Sequence, residues 1–263
     1  MSNIRAFTLI ELLVVVAILA ILAAVGSAAL LSAAGKGDMA AEMSAAKTLI
    51  ASYQAATADN NGTLLPAFDS SAPAVKNGSG KSVSMPEAKK RYPFRLAPYF
   101  NYAIKGTLLV GQNERQFMEV MQLGSPSGTM YDYAVSVFPA FGINRHFVGG
   151  TSGASDTNNE CINTIGEADR SVIVFISAGT EGVNGYEYVR APGAPGGNWS
   201  SDKWTDKSDP GSYGHVHPRH NGKAVAAFLD GSVRVLGLDD LRDMRLWSRN
   251  AALQDDPGYQ AKN

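Results

Sequence analysis

The sequence predicts an α+β protein: a long N-terminal membrane-spanning helix packed on an antiparallel, β-rich head. Three observations carry this. No Asp, Glu, Lys or Arg stands between Glu11 and Lys36, so residues 12–35 form one uncharged run. A helical period continues beyond that run. Further on, short apolar stretches alternate with turn-forming residues, and 27 Gly plus 12 Pro in 263 residues argue against a helical bundle.

As a helix rising ~1.5 Å per residue, residues 12–35 reach ~36 Å, enough to cross the hydrocarbon core of a bilayer. Arg5 and the initiating amine lie on the short side, which puts the N-terminus in the cytoplasm and everything after Lys36 outside. Past Lys36, Met39, Met43, Ala46, Ile50 and Tyr53 recur every three or four residues, with Glu42, Lys47 and Gln54 on other faces. This spacing predicts one continuous helix from about Thr8 to Ala58, stopped by Asp59-Asn60-Asn61-Gly62. Its apolar stripe needs a sheet to cover it, in a two-layer arrangement.

Residues 62–90 read as a long surface loop, and Tyr92–Tyr102 as an aromatic segment against the core. Strand-like runs follow at Gly106–Val110, Tyr131–Phe138 and Ser171–Ser177, with a short helix at Glu114–Leu123. Lys223–Leu229 and Ser232–Leu236 flank Asp230-Gly231, a two-residue hairpin turn. Leu238–Arg249 is expected as a helix capped by Asp239, and Asp255–Asn263 as a frayed tail.

A net charge of -1 implies no nucleic-acid partner. The single cysteine, Cys161, excludes an intrachain disulfide and a cysteine-rich zinc module, and reads as a small buried thiol. There is no phosphate loop and no Gly-x-Ser-x-Gly elbow. His215, His217, His220 and Asp230 are close enough in sequence to supply a zinc site. Pro218 interrupts regular structure among them, and the favoured reading is a His220 side chain that hydrogen-bonds the hairpin beside two exposed loop histidines. Asp202, Asp206 and Asp209 offer oxygen ligands for calcium but match no defined calcium loop. No cofactor is therefore expected, with zinc or calcium as the alternatives.

Glu11 is the residue that hydrophobicity does not explain, since a carboxylate at the edge of an apolar run costs on the order of a few kcal/mol in lipid. A secretory signal cut near Gly26-Ser27-Ala28, or a plain anchor, gains nothing from it. The segment Arg5-Ala6-Phe7-Thr8-Leu9-Ile10-Glu11-Leu12-Leu13 resembles the prepilin-type cleavage and methylation signal of type IV pilins and type II secretion pseudopilins. The resemblance implies that prepilin peptidase cuts between Ala6 and Phe7 and methylates the new amine. Residues 1–6 would be the leader, 7–58 the long helix with 7–35 transmembrane, and 59–263 the exported head. It also implies that Glu11 pairs with the Phe7 amine of a neighbouring subunit. One departure is Ala6, where the family has Gly. The spacing His220-x9-Asp230-Gly231, with Phe141-Gly142-Ile143-Asn144 and Ser171–Phe175 upstream, resembles the His-x9-Asp-Gly domain found behind such signals, with its hairpin at 220–236 and His220, Asp230 and Gly231 as structural turn residues.

Together these imply a non-enzymatic filament subunit of a type II secretion pseudopilus or type IV-like filament. It would be single-pass in the inner membrane with its head periplasmic, and would partner prepilin peptidase and other subunits. The alternatives are a membrane-anchored or secreted binding module, or a metal-dependent enzyme using His215, His217, His220 and Asp230.

Overall fold

The computed structural model describes residues 9–152, 160–167, 171–197 and 199–262, without the side chains of Leu9, Glu11, 19–34 and 151–152. The chain divides into two units, Met1–Asp38 and Met39–Asn263. Helix α1, Leu9–Asp59, supplies the helical residues of the first and enters the second. In the first unit Ile10, Leu12, Leu13, Val14, Val15, Val16 and Ile18 are all exposed, between 45% and 75%. Among the described residues, no helix is long and apolar enough to cross a membrane.

Within the second unit, α1 stops where the sequence predicts. Asn61 and Gly62 take positive φ, and the Gly62 amide returns to the Thr57 carbonyl at 2.9 Å, which closes the helix C-terminus. The buried face is Glu42, Ala45, Ala46, Leu49, Ile50 and Tyr53, continuing to Ala56 and Thr57. Glu42 therefore lies on the covered face rather than on another one. Ala46, Ile50 and Tyr53 of the predicted stripe are buried as expected, but at about 100° per residue the buried stripe is centred about 50° from the one read through Met39, Met43, Ala46, Ile50 and Tyr53.

The sheet this face covers has five strands in the order β5-β2-β4-β6-β7. Its members are β2 (Phe141–Asn144), β4 (Ile173–Ser177), β5 (Tyr188–Val189), β6 (Lys223–Phe228) and β7 (Val233–Gly237). It is mixed rather than antiparallel, because edge strand β5 runs parallel to β2 while the other pairings are antiparallel. A separate parallel pair joins β1 (Phe68–Asp69) to β3 (Thr151–Ser152).

The sheet is covered on both faces. Val225, Ala227 and Phe175 pack with the α1 stripe, Tyr53 meeting Phe175 edge-on at 5.5 Å. Ala224, Ala226 and Phe228 pack with Trp247, Met244 and Leu241 on the opposite side. This explains why β4 is buried at every position, as its continuous apolar run predicts.

Several expected elements differ. Tyr131–Val137 lies in helix α5 (Thr129–Val137), with Phe138 as its C-cap, packed against α2 (Pro86–Lys90) and α3 (Tyr92–Leu96). A helix brings adjacent Ala134, Val135 and Ser136 into the core together, which an alternating strand does not. Gly106–Val110 forms turns, with the Leu108 and Leu109 amides both on the Ile104 carbonyl. The short helix expected at Glu114–Leu123 begins earlier, as α4 (Gly111–Val120).

The expected helix at Leu238–Arg249 is broken into α6 (Leu238–Leu241), a 3-10 turn at Met244–Leu246, and α7 (Arg249–Gln254). Three local caps set these breaks: the Asp240 carboxylate on the Gly237 amide, Asp243 on Arg245, and Ser248 on Ala251. The tail is held, since the Ala261 amide donates to Gly193 O at 2.9 Å and the Met244 amide to Pro257 O at 3.0 Å.

The β6–β7 connection is Leu229–Ser232, closed by Gly231 N–H to Phe228 O and Phe228 N–H to Ser232 O, both 2.9 Å. Only Gly231 takes positive φ (84°), so a two-residue turn with both centres in that region does not form. A Cβ at Gly231 would also sit 3.3 Å from the Gln54 side chain. At Gly142 in β2 a Cβ would lie 2.8 Å from the Tyr188 backbone. We expect Gly231→Val and Gly142→Ala each to cost about 1–3 kcal/mol, from strain in the first and overpacking in the second. Urea melts of residues 39–263 check this; an unchanged midpoint for Gly142→Ala would contradict the tight β2–β5 contact.

Candidate functional site

Two regions carry the chemistry: the N-terminal segment and a charged cluster inside the head. The cluster is built on Glu42, 2% exposed on the sheet-facing side of α1. His220 Nε2 donates to Glu42 Oε2 at 2.8 Å, and the Ser177 hydroxyl at the end of β4 donates to Glu42 Oε1. Arg219 Nε stands 3.8 Å from Oε1, an ion pair longer than a hydrogen bond.

The rest of the Arg219 fork serves the backbone. Its Nη1 donates to Asn184 O at 2.8 Å, and Nη2 to Ala140 O at 3.0 Å and Ala178 O at 2.5 Å. Ser177 Oγ also accepts the Val225 amide at 2.8 Å. One carboxylate thus gathers α1, β4 and the chain entering β6. Burial pushes the Glu42 pKa up, but the Arg219 charge and the hydrogen bonds from His220 and Ser177 outweigh it and leave it below its ordinary value.

Local sequence explains how His220 arrives there. Asn221 (φ 52°) and Gly222 (φ 76°) form a tight turn closed by the His220 amide on Lys223 O at 3.0 Å and the Lys223 amide on His220 O at 3.1 Å. Asn-Gly is the residue pair such a turn favours. Just upstream, Val216 bridges Ala178, which extends the β4 pairing to the histidine segment.

The His220 side chain thus bonds α1 rather than the hairpin, and the other candidate ligands go elsewhere, with His215 and His217 partly buried rather than exposed. The His215 ring stacks on Tyr186 at 4.0 Å, with Nδ1 3.2 Å from Gly179 O. His217 lies 5.5 Å from the Trp204 ring, and burial with the nearby Arg219 charge lowers its pKa to about 3. Asp230 accepts the Ser232 amide at 2.8 Å within its own loop and lies 3.9 Å from Arg234. Among the described residues, no three His, Cys, Asp or Glu side chains are arranged to hold a metal ion. Asp209 accepts the Gly211 amide at 2.8 Å as the cap of a 3-10 turn. Cys161 is partly exposed, and burial raises its thiol pKa to about 12, so it is a poor nucleophile.

The hairpin loop meets α1 at a second point, where Gln54 Nε2 donates to Leu229 O at 2.9 Å. The Phe141–Asn144 segment is structural too: Asn144 is fully buried and its amide donates to Ile173 O at 2.9 Å and Trp247 O at 3.1 Å. Sequence reasoning missed Glu42, Ser177 and Arg219. The readable signals were the position of Glu42 three and four residues before Ala45 and Ala46, and the Asn221-Gly222 pair.

In the N-terminal segment, Glu11 lies in the backbone of α1, while Ala6 and Phe7 fall outside the described residues. Residues 1–27 match the family model of the prokaryotic N-terminal methylation motif. That match supports a prepilin-type pilin or pseudopilin, and such a methylation motif points to a structural subunit rather than an enzyme. It includes Ala6, Phe7 and Glu11 and stops before the head. No curated protein and no solved structure matches the chain.

Removing one member of the buried pair should cost more than the pair contributes. Glu42→Ala leaves Arg219 buried without its carboxylate, and we expect a loss of about 3–5 kcal/mol. Glu42→Gln separates charge from shape. Because the folded pKa of Glu42 lies below its ordinary 4.5, the wild-type advantage over Glu42→Gln is complete above pH 4.5 and disappears as pH falls through the folded value. Urea melts of both proteins across acidic pH measure it; a constant difference down to strong acid would contradict an ionised Glu42.

Proposed function

We propose that this chain is a pilin-like filament subunit processed by prepilin peptidase, and the observation that carries the reading is the methylation motif at residues 1–27. In this reading residues 1–6 are removed on the cytoplasmic face and the Phe7 amine is methylated. The helix over 7–35 anchors the protein in the inner membrane until assembly, with residues 59–263 as its periplasmic head. The exposure of Ile10 and Leu12–Val16 supports this, because such side chains are stable only when lipid or neighbouring subunits cover them.

Glu11 gives the assembly its register. After cleavage the Phe7 amine is a positive charge, and pairing with Glu11 of an adjacent subunit offsets the cost of a carboxylate in lipid. The filament is a type II secretion pseudopilus or a type IV-like fibre, built with other subunits of its kind. His220, Asp230 and Gly231 have a structural part: His220 ties the chain entering β6 to Glu42 of α1, and Asp230 and Gly231 shape the hairpin loop whose Leu229 carbonyl accepts from Gln54. No cofactor is assigned to this subunit.

Mass spectrometry of the mature protein should find Phe7 as a methylated N-terminus; a start near Ala28 would mean secretory cleavage and defeat the reading. Glu11→Ala should leave membrane insertion and cleavage intact and reduce incorporation into sheared filaments. Glu11→Lys should be worse, since it places two positive groups together where lipid does not screen them. Normal incorporation of Glu11→Lys would remove the pairing model.

A further inference from the structure

Three asparagines stand two residues before a serine or threonine with no proline between: Asn61-Gly62-Thr63, Asn77-Gly78-Ser79 and Asn198-Trp199-Ser200. This is the pattern at which a sugar chain is joined to an asparagine amide, and it needs that amide on the surface of an exported protein. Asn198 lies outside the described residues. Asn77 is half-buried and engaged: its Nδ2 donates to Asp132 Oδ2 at 2.9 Å, and its Oδ1 accepts the Ser79 and Lys81 amides at 3.1 and 3.2 Å. Asn61 differs. It and Thr63 are exposed, and neither side chain makes a hydrogen bond or ion pair within the described residues. The turn that closes α1 presents them, with Asn61 at positive φ (53°) and the Gly62 carbonyl held by the Ile165 amide at 2.8 Å. A helix end opens locally more readily than the core, so another protein's active site can draw this segment in. Of the three patterns, this one alone has a carboxylate two residues ahead of the asparagine, Asp59, a charge that a cationic groove can select.

The surroundings of Asn61 also suit a sugar. Tyr99 (37% exposed) and Ile165 (47%) are large apolar side chains left open beside this turn. A Cβ at Gly62 would lie 3.2 Å from Ile165, and Tyr99 hydrogen-bonds Asp59. Tyr99, Asn60, Leu65 and Pro66 line a cleft of about 330 Å³. The C–H faces of the first sugars would cover these groups. We propose that Asn61 is the acceptor of an N-linked oligosaccharide, an inference that rests on residues 59–263 being an exported head. The donor is an oligosaccharide joined through pyrophosphate to a membrane lipid, and the catalyst is a membrane oligosaccharyltransferase. Asn61 Nδ2 bonds to the anomeric carbon as that carbon's bond to the pyrophosphate oxygen breaks. The bonding pair leaves with the lipid pyrophosphate, and one amide proton passes to a base of the transferase. The Thr63 hydroxyl is the group by which the transferase recognises the site.

The test is peptide mapping of the full-length protein purified from the membranes of its native cell. Trypsin cuts after Lys47 and Lys76 and yields Thr48–Lys76 as one peptide. We expect it to carry the added mass of several sugar residues, placed on Asn61 by fragment spectra. Asn61→Gly, which tolerates the positive φ, and Thr63→Ala should each lose the sugar completely. Thr63→Ser should keep it, and Asn77→Gln should leave it unchanged. Thermal melts show that each variant is folded. Three results would overturn the proposal: an unmodified wild-type peptide, sugar on the Thr63 or Ser70 hydroxyl instead, or sugar retained in Asn61→Gly. The N-terminal peptide of the same digest separates this proposal from the subunit reading. A methylated Phe7 with a bare Asn61 overturns the sugar alone, whereas a start near Ala28 with a glycosylated Asn61 supports the sugar and defeats the subunit reading.

Discussion

A single buried carboxylate organises the head. Glu42 enters the core on α1, and its charge obliges the protein to bring Arg219, His220 and Ser177 to it. Each of those residues is in turn tied to backbone elsewhere: Arg219 to three carbonyls, Ser177 to β6, and His220 to the Asn221-Gly222 turn. An apolar residue at position 42 would pack on the sheet in many ways. A carboxylate with directional partners accepts one. On this view the cluster contributes less to net stability than to the uniqueness of the docking between helix and sheet, a role buried polar groups have in some systems.

The sheet that receives the helix is covered twice, and this division shapes the rest of the chain. Residues of β6 alternate strictly, Val225 and Ala227 towards α1, Ala224 and Ala226 towards Trp247. Small side chains on both faces let the covering layers approach closely. The second layer is made from short pieces, α6, the Met244 turn and α7, and the last residues close over it by pairing with Gly193. A tail that looks like fraying in sequence is thereby part of the core's cover.

What the sequence disclosed follows from how local each signal is. The end of α1 at Asp59, the buried strand at Ile173–Ser177 and the hairpin around Gly231 rest on contiguous residues, and all three appear. Tyr131–Val137 has aromatic and β-branched residues yet folds as a helix, because packing against α2 and α3 outweighs strand propensity. The Glu42 cluster joins positions 135 and 178 residues apart, and nothing in the local pattern marks Ser177 or Arg219 as partners. His215, His217 and His220 are neighbours in sequence but face three surroundings, a stacked tyrosine, a tryptophan and a carboxylate, since His215 takes positive φ (68°) and Pro218 follows, so the segment is no regular strand. The N-terminal motif was legible because its meaning lies in one exceptional residue, Glu11, inside an otherwise uncharged run.

The hairpin touches α1 at two places, and their spacing makes it a gauge. Glu42 and Gln54 are separated by ~18 Å along the helix axis at ~1.5 Å per residue and by about 120° around it. Strand β6, six residues long, covers ~20 Å at ~3.3 Å per residue, and it begins just after His220 and ends just before the Leu229 carbonyl that Gln54 grips. Two grips at different azimuths fix the helix against turning as well as against sliding. The nine residues between His220 and Asp230 are thus a measured length: one more or one fewer would leave the histidine or the loop facing the wrong part of the helix.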